Sequence, residues 1–269
     1  MDYRTYEPDS DLKAIIKCYW TLEGDESDIQ KQVIVPDGCM EMIFHFADLY
    51  KQFLVEDTFV IQPRCFLMGQ LSKPLEIEPT GKTGIFSVRF HPDGFLPFVS
   101  FRMTQIQDTA VPLTTLFGDE GQMLEKEILT AKTTKERIES MERFIHRQLQ
   151  NKEVGDKIIQ MTLQTILAEN GQLSIDGLSK NLNVHRRKLE RRFDTAIGMS
   201  PKRLSKIMRL QAALKKLLNA EFDSLTGLAY DIGYYDQAHF IKEFKEFTGF
   251  TPGEFYGDHI QLSTLFYRT

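Results

Sequence analysis

The sequence predicts an α+β protein of two domains. A sheet-rich N-terminal domain with flanking helices precedes an all-helical domain, in which two helix-turn-helix units are joined by a long helix. Three observations lead to this prediction. Short β-branched and aromatic runs fill the chain up to about residue 112, amphipathic helical spacing follows from about residue 113, and a repeat of about fifty residues lies in the last third.

The N-terminal part carries the pattern of short strands separated by turns. Turn formers such as Pro36-Asp37-Gly38 and Pro92-Asp93-Gly94 punctuate it. Several short strands at such spacing indicate a barrel or sandwich. The predicted strands include Val33–Val35, Glu41–Phe46, Phe59–Ile61 and Ile85–Phe90.

Helical spacing takes over in the middle of the chain. Residues 120–130 and 135–149 place apolar side chains three and four positions apart, with charges between them. The polar stretch 151–155 then indicates a short linker. We therefore predict an N-terminal domain at residues 1–151 and a helical domain at residues 152–269.

Charge is distributed unevenly along the chain. The net charge is −5, which on average disfavours nucleic acid, but residues 1–150 hold 16 Lys+Arg against 24 Asp+Glu (−8). Residues 174–256 hold 14 against 10 (+4). This change of sign is a hint of a nucleic-acid-binding part, although Lys-rich solvent-exposed helices produce it too.

The same composition disfavours a membrane or secreted protein. No apolar run approaches the roughly 18 residues that span a bilayer, and the first residues have no export signal. Three cysteines without CxxC spacing favour reduced thiols. We expect a cytoplasmic protein that does not bind membranes.

An internal repeat organises the last third. Gly198-Met199-Ser200-Pro201 recurs 51 positions later as Gly249-Phe250-Thr251-Pro252. Each copy predicts a helix, a tight turn, a second helix and a Gly, before a Ser/Thr-Pro pair starts a further helix. The turns are predicted at Asn183 and Gly233, which tolerate positive φ, and Asp236 is predicted to cap the next helix.

The second helix of each copy has two different faces at about 100° per residue. In the first copy the apolar face is Leu189, Phe193 and Ile197, opposite Arg187, Lys188 and Arg191. In the second, the apolar face is Phe240, Phe244 and Phe247, opposite Ala238, His239, Lys242 and Lys245. A single cationic face is most often just solvated, but two copies with helix-turn-helix spacing favour insertion into the major groove.

Between the copies, residues 201–218 predict one continuous amphipathic helix. Its length of about 27 Å would hold the two second helices roughly one duplex turn, about 34 Å, apart.

Residues 156–256 resemble the DNA-binding domain of the AraC/XylS family of bacterial regulators. The resemblance is carried by long ordered motifs: Leu189-Glu190-Arg191-Arg192-Phe193, Gly198-Met199-Ser200-Pro201, Ile232-Gly233-Tyr234, Asp236-Gln237-Ala238-His239-Phe240 and Thr248-Gly249-Phe250-Thr251-Pro252. It implies seven helices, two recognition helices in successive major grooves of double-stranded DNA, and activation, or sometimes repression, with RNA polymerase as a partner.

Carried over by position, the resemblance assigns the contact residues. The base-reading candidates are Arg187, Glu190, Arg191, Gln237, Ala238, His239 and Lys242, and the phosphate-contact candidates are Arg186, Lys188, Arg192 and Lys245. Asn183 and His185 depart from the glycine and serine usual in the first unit, and Asp194 stands where a cation is common.

The N-terminal domain is similar to that of an uncharacterised branch of the same family, through Cys18-Tyr19-Trp20, Val35–Glu41, Gly69-Gln70 and Val88–Pro92. The similarity implies a cupin-like effector or oligomerisation module. Trp20 and the phenylalanines between residues 86 and 101 could line an apolar pocket, although a plain core is favoured. The helix at 135–150 could be a homodimer seam, but packing on its own sheet gives the same pattern.

We expect no cofactor and no enzymatic activity. His45 and His91 are far apart in sequence, so a buried, hydrogen-bonded imidazole is favoured over a metal ligand. The leading hypothesis is a sequence-specific transcription regulator, an activator controlled by an unknown small molecule. The alternatives are a cupin-like metalloenzyme tethered to DNA and a helical scaffold for protein interactions.

Overall fold

A computed structural model describes residues 1–26, 29–54, 58–150 and 156–258. It places a domain of two antiparallel sheets and two helices before an all-helical domain, as the sequence predicted. The predicted division at residue 152 falls within 151–155, outside the described residues.

The N-terminal domain is built on ten strands in two sheets. Their bounds are β1 Asp2–Tyr6, β2 Ile16–Gly24, β3 Gln32–Ile34, β4 Met40–His45, β5 Tyr50–Phe53, β6 Phe59–Ile61, β7 Cys65–Met68, β8 Leu75–Pro79, β9 Thr83–Phe90 and β10 Ala110–Pro112. The larger sheet has the order β1-β2-β9-β4-β7-β10 and the smaller one β3-β8-β5-β6. The four strands predicted from sequence are confirmed within one or two residues.

Strand β4 shows how the larger sheet separates two environments. Successive side chains of a strand point to opposite faces. Met40, Met42 and Phe44 are buried in the main apolar core, together with residues of two helices, α1 (Leu113–Thr130) and α2 (Thr134–Leu149). Glu41, Ile43 and His45 instead line a cavity beside the smaller sheet.

The packing shows which role the α2 helix and the aromatic residues have in this domain. The apolar stripe of α2 packs on its own domain, because Met141, Phe144 and Ile145 are fully buried in the main core. The aromatic residues divide: Phe86, Phe90, Phe95 and Phe98 are core, Phe101 packs against it, and Trp20 lines the cavity. Only the tryptophan fits the pocket interpretation.

The helical domain comprises seven helices among the described residues. They are α3 Lys157–Ala168, α4 Ile175–Asn181, α5 Arg186–Ile197, α6 Pro201–Leu218, α7 Leu225–Asp231, α8 Gln237–Thr248 and α9 Pro252–Asp258. The long helix α6 has the predicted bounds, with the Ser200 hydroxyl accepting from Arg203 N and proline at its start. No helix of the described ranges is long and apolar enough to cross a bilayer.

Helix α6 also contacts the N-terminal domain. The Gln211 amide donates to the carbonyl of Pro36 at 2.7 Å, and the Arg203 guanidinium donates to the carbonyl of Ser72. Gly38 has a φ of 79°, and a Cβ added there would lie 2.8 Å from a methyl of Leu204, so both the backbone conformation and the close approach favour glycine at this contact. Loop 35–39 is therefore packed on the helix that joins the two helix-turn-helix units.

Candidate nucleic-acid interface

The first unit consists of α4, a four-residue connection (residues 182–185) and α5. Asn183 adopts a φ of 51° in the turn, as predicted. The His185 imidazole caps α5 by accepting from Arg187 N at 3.3 Å, so the departure from a serine cap keeps the same function. The departures at Asn183 and His185 are therefore accommodated locally.

Helix α5 presents a cationic face to solvent. Leu189, Phe193 and Ile197 are fully buried and fix the opposite face in the core. The side chains of Arg187, Lys188 and Arg191 are exposed and have no acidic partner within the described part of the chain. These three cations can reach a ligand without first breaking an ion pair.

Two other candidate arginines on α5 are engaged inside the domain. Arg186 binds both Asp176 and Glu190 at 2.9 Å. Arg192 pairs with Asp156, the N-cap residue of α3. The candidates Arg186, Glu190 and Arg192 thus already have partners, and a contact with DNA would compete with these pairs.

The second unit repeats this construction with α7 and α8. Gly233 has a φ of 80° in the turn, and the Asp236 carboxylate caps α8 by accepting from His239 N at 2.7 Å. Phe240, Phe244 and Phe247 are fully buried. The turn, the cap and the apolar face all agree with the sequence prediction.

The outward face of α8 carries the remaining candidates. Ala238, His239, Lys242 and Lys245 are exposed. Gln237 is half-buried, and its side-chain oxygen lies 2.6 Å from the Thr226 hydroxyl on α7. The second candidate face therefore has fewer cations than that of α5, and one of its polar residues is held by a neighbouring helix.

Sequence reasoning missed two kinds of residue here. Tyr235, immediately before the Asp236 cap, is 87% exposed, and a tyrosine hydroxyl at such a position can donate to phosphate. Glu243 is buried on α8 and binds Arg209 and Lys206 of α6. The position of Glu243 between Phe240, Phe244 and Phe247 on the apolar face was the available signal.

The N-terminal domain holds a separate candidate site, an apolar cavity of about 100 Å³ between the two sheets. Both Arg89 and His45 line this cavity, at different places. The Arg89 guanidinium forms ion pairs with Asp37 and Glu41. The imidazole of His45 is buried, as expected, and burial lowers its pKa; the Gln62 side chain acts on it in the opposite direction, but neither ring nitrogen reaches hydrogen-bond geometry with a described residue. No three metal-ligating side chains within those residues are grouped to hold a metal ion.

Comparisons with known proteins agree with this two-domain organisation. Residues 178–257 match a helix-turn-helix domain model of the AraC type, and residues 4–112 match a domain of unknown function, DUF6597. An uncharacterised HTH-type transcriptional regulator of Haemophilus influenzae is 33% identical over 101 residues, which are 37% of this chain and 34% of that protein. The HTH-type transcriptional regulator MtrA of Neisseria gonorrhoeae is 30% identical over 101 residues, 37% of this chain and 33% of MtrA.

These curated relatives are matched over only about a third of their length. Among solved structures, ToxT from Vibrio cholerae, bound to (E)-4-(8-methylnaphthalen-1-yl)but-3-enoic acid, is similar over 95% of this chain and 98% of its own. The TM-score is 0.50 and the sequence identity 10%. At that identity the likeness shows the two-domain fold alone.

Proposed function

We propose that this chain, whose residues 178–257 form an AraC-type helix-turn-helix domain, is a sequence-specific DNA-binding transcription regulator. One observation carries the proposal: α5 and α8 are built alike, each with a fully buried apolar stripe and an exposed polar face, and α6 joins them. Two such helices on one rigid connector suit two successive major grooves.

The exposed side chains of α5 divide by the DNA group that they would contact. Arg187 and Arg191 are the proposed base readers, because a guanidinium can bind guanine O6 and N7 in a bidentate manner. Lys188 is the proposed phosphate contact. Arg186, Glu190 and Arg192 stay secondary candidates, since each has an intramolecular partner.

On α8 the proposed base contacts are Gln237, Ala238, His239 and Lys242, with Lys245 on phosphate. Alanine in this set would contact a thymine methyl group, which is an apolar form of readout. Tyr235 adds a proposed phosphate contact beside the helix N-terminus.

Regulation completes the proposal. The N-terminal domain would bind an unidentified small-molecule effector in its cavity, and the protein would act as an activator through RNA polymerase, as a monomer or a homodimer. A regulator that binds chromosomal DNA would work in the cytoplasm. The apolar cavity and the contact of loop 35–39 with α6 support an effector-linked mechanism.

DNA selection with the full chain tests the proposal directly. A random duplex library should yield an enriched sequence, whose affinity falls steeply with salt because neutralised phosphates release counterions. Arg187→Ala and Arg191→Ala should each weaken binding to that sequence by about 1–3 kcal/mol and relax specificity at one half-site.

Two control variants separate base reading from general attraction. Lys188→Ala should weaken binding to selected and random DNA alike and lower the salt slope by about 1. Lys215→Ala, which removes an exposed cation of α6, should leave both affinities unchanged. Equal losses on selected and random DNA for the arginine variants would refute the base-reading assignment, and a library without enrichment would favour the protein-scaffold alternative.

A further inference from the structure

The cavity between the sheets has an ordered lining that follows from strand register. On the larger sheet, Cys18, Arg89 and Glu41 lie side by side on β2, β9 and β4, and Arg89 and Glu41 line the cavity. Leu22, Ile85 and His45 form a second row of lining residues, four residues along β2. Trp20, Ser87 and Ile43 lie between them. The polar Arg89 row and the His45 row therefore mark opposite ends of a mostly apolar space.

The Arg89 end offers no uncompensated charge among the described residues that line the cavity. The guanidinium is nearly buried and is paired with Asp37 and Glu41. Burial raises the pKa of Glu41 to about 7. Near neutral pH Glu41 is partly protonated and Arg89 is engaged by Asp37, so a charged ligand of either sign would lose its hydration without gaining an unpaired counter-charge from the described lining residues, which is unfavourable in a low-dielectric space.

The His45 end offers an unused hydrogen-bonding group. The imidazole is 1% exposed and packs between the rings of Tyr50 and Phe66, at centroid distances of 5.2 and 5.8 Å. Burial lowers its pKa to about 4, so the ring is neutral, with one donor and one acceptor nitrogen. The nearby Gln62 side chain acts on the imidazole in the opposite direction, raising its pKa, but its amide is engaged with Gln52 at 3.3 Å and neither ring nitrogen reaches hydrogen-bond geometry with a described residue. Buried polar groups without a partner are rare in native proteins.

We propose that this cavity binds a small uncharged molecule of about one ring, apolar except for a single hydroxyl or carbonyl group that hydrogen-bonds to His45. The volume of about 100 Å³ is comparable to the roughly 150 Å³ of an engineered cavity that holds benzene. The proposal deepens the effector part of the proposed function and rests on it for any effect on DNA, whereas binding itself can be measured without DNA.

A series of near-isosteric probes tests the ligand class on the full chain. Benzyl alcohol, benzylamine, benzoate and toluene have similar shapes and differ in charge and hydrogen bonding. Trp20 is the chain's single tryptophan and lines the cavity, so its fluorescence reports occupancy, with calorimetry as a second readout. Benzyl alcohol should bind saturably and toluene several-fold more weakly, and the charged probes benzoate and benzylamine should each bind at least tenfold more weakly than the alcohol.

Variants assign the contact to His45. His45→Phe should weaken benzyl alcohol about three- to tenfold, the range expected for one hydrogen bond, and leave toluene unchanged or tighter. His91→Phe replaces a half-buried imidazole that does not line the cavity and should leave both affinities unchanged. Ile43→Phe adds volume to the lining and should abolish binding of both probes; thermal melting of each variant confirms that it is folded.

Three results would overturn the proposal: benzoate or benzylamine binding as tightly as the alcohol, an unchanged affinity of His45→Phe for the alcohol, or no probe binding at all. A gel shift on the same preparation reports DNA binding separately. Failure of the DNA-binding function with intact probe binding is therefore distinguishable from the reverse.

Discussion

Glu243 is a carboxylate whose burial is offset by partners from another helix. Its side chain is 2% exposed and accepts a hydrogen bond from the Tyr234 hydroxyl at 2.6 Å, while Arg209 and Lys206 of α6 lie at 3.1 and 3.0 Å. Burial alone would raise its pKa, but the Tyr234 hydrogen bond and the two cations outweigh burial and lower it. The Glu243 carboxylate thus holds α8 against α6 through ion pairs.

Glu243→Gln should destabilise the helical domain by about 2–3 kcal/mol, because it leaves two cations beside a neutral, buried amide. The matched control is Glu246→Gln, one turn along α8, whose 41% exposed carboxylate pairs with Arg203 and Lys206 and should contribute below about 1 kcal/mol. Urea unfolding compares the two variants. Similar losses would show that the buried pairs are no stronger than surface ones.

The same residue gives a direction for pH dependence. A carboxyl group whose folded pKa is lowered stabilises the fold above its unfolded pKa, and this contribution is lost as pH falls through the folded value. The wild type should therefore lose stability in acid, below the ordinary glutamate range, more steeply than Glu243→Gln. Denaturation curves at a series of acidic pH values measure the two slopes, and parallel slopes would contradict the assignment.

The exposure of individual site residues could be predicted from the sequence only where it depends on neighbours within the same helix. The exposed faces of α5 and α8 follow from helical spacing. The engagement of Arg186 depends on Asp176 of α4, and that of Arg192 on Asp156 of α3, 36 residues away. Such pairs depend on how helices pack, which spacing along one helix does not reveal.

At the scale of elements, local signals carried most of the prediction. Positive φ at Asn183 and Gly233, the Asp236 cap and the bounds of α6 all follow from side chains within a few residues of the feature. The order of the strands in the sheets could not be predicted, because β9 pairs with β2 and β4, which are about forty or more residues away in the sequence. Alternation specifies which face of a strand is buried but not which strand lies beside it.

The two C-terminal glycines of α5 and α8 offer a comparison inside the repeat. Gly198 and Gly249 are both left-handed, with φ of 88° and 83°. Alanine at either position should cost about 1–2 kcal/mol for that conformation. At Gly198 the new Cβ would also lie 3.2 Å from the carbonyl oxygen of Met103 in the N-terminal domain, whereas at Gly249 no described atom is within 4 Å.

Gly198→Ala should therefore be less stable than Gly249→Ala by about 1 kcal/mol, and thermal melting of the full chain measures the difference. The two substitutions share the same backbone strain, so each serves as the control for the other. Equal melting temperatures would mean that the Met103 segment moves away freely, and that α5 is not firmly docked on the N-terminal domain.

At the scale of the whole molecule, α6 contacts both helix-turn-helix units and the N-terminal domain. It binds α8 through Arg209 and Glu243, and it contacts loop 35–39 through Gln211 and through the close approach to Gly38. Residues 35, 37 and 39 of that loop also line the cavity. Loop 35–39 thus connects the cavity directly to α6, the helix that sets the spacing of α5 and α8.

Gln211→Ala should loosen this connection while leaving each domain folded. The substitution removes the donor to the buried Pro36 carbonyl, which should weaken the contact between the domains by about 1–3 kcal/mol. Trp20 fluorescence follows unfolding of the N-terminal domain, and the far-UV helix signal follows mainly the helical domain. The melting transitions of these two signals should lie further apart in Gln211→Ala than in the wild type. Lys215→Ala, an exposed change one turn further along α6, should leave the separation unchanged, and an equal shift in both variants would show that Gln211 does not link the domains.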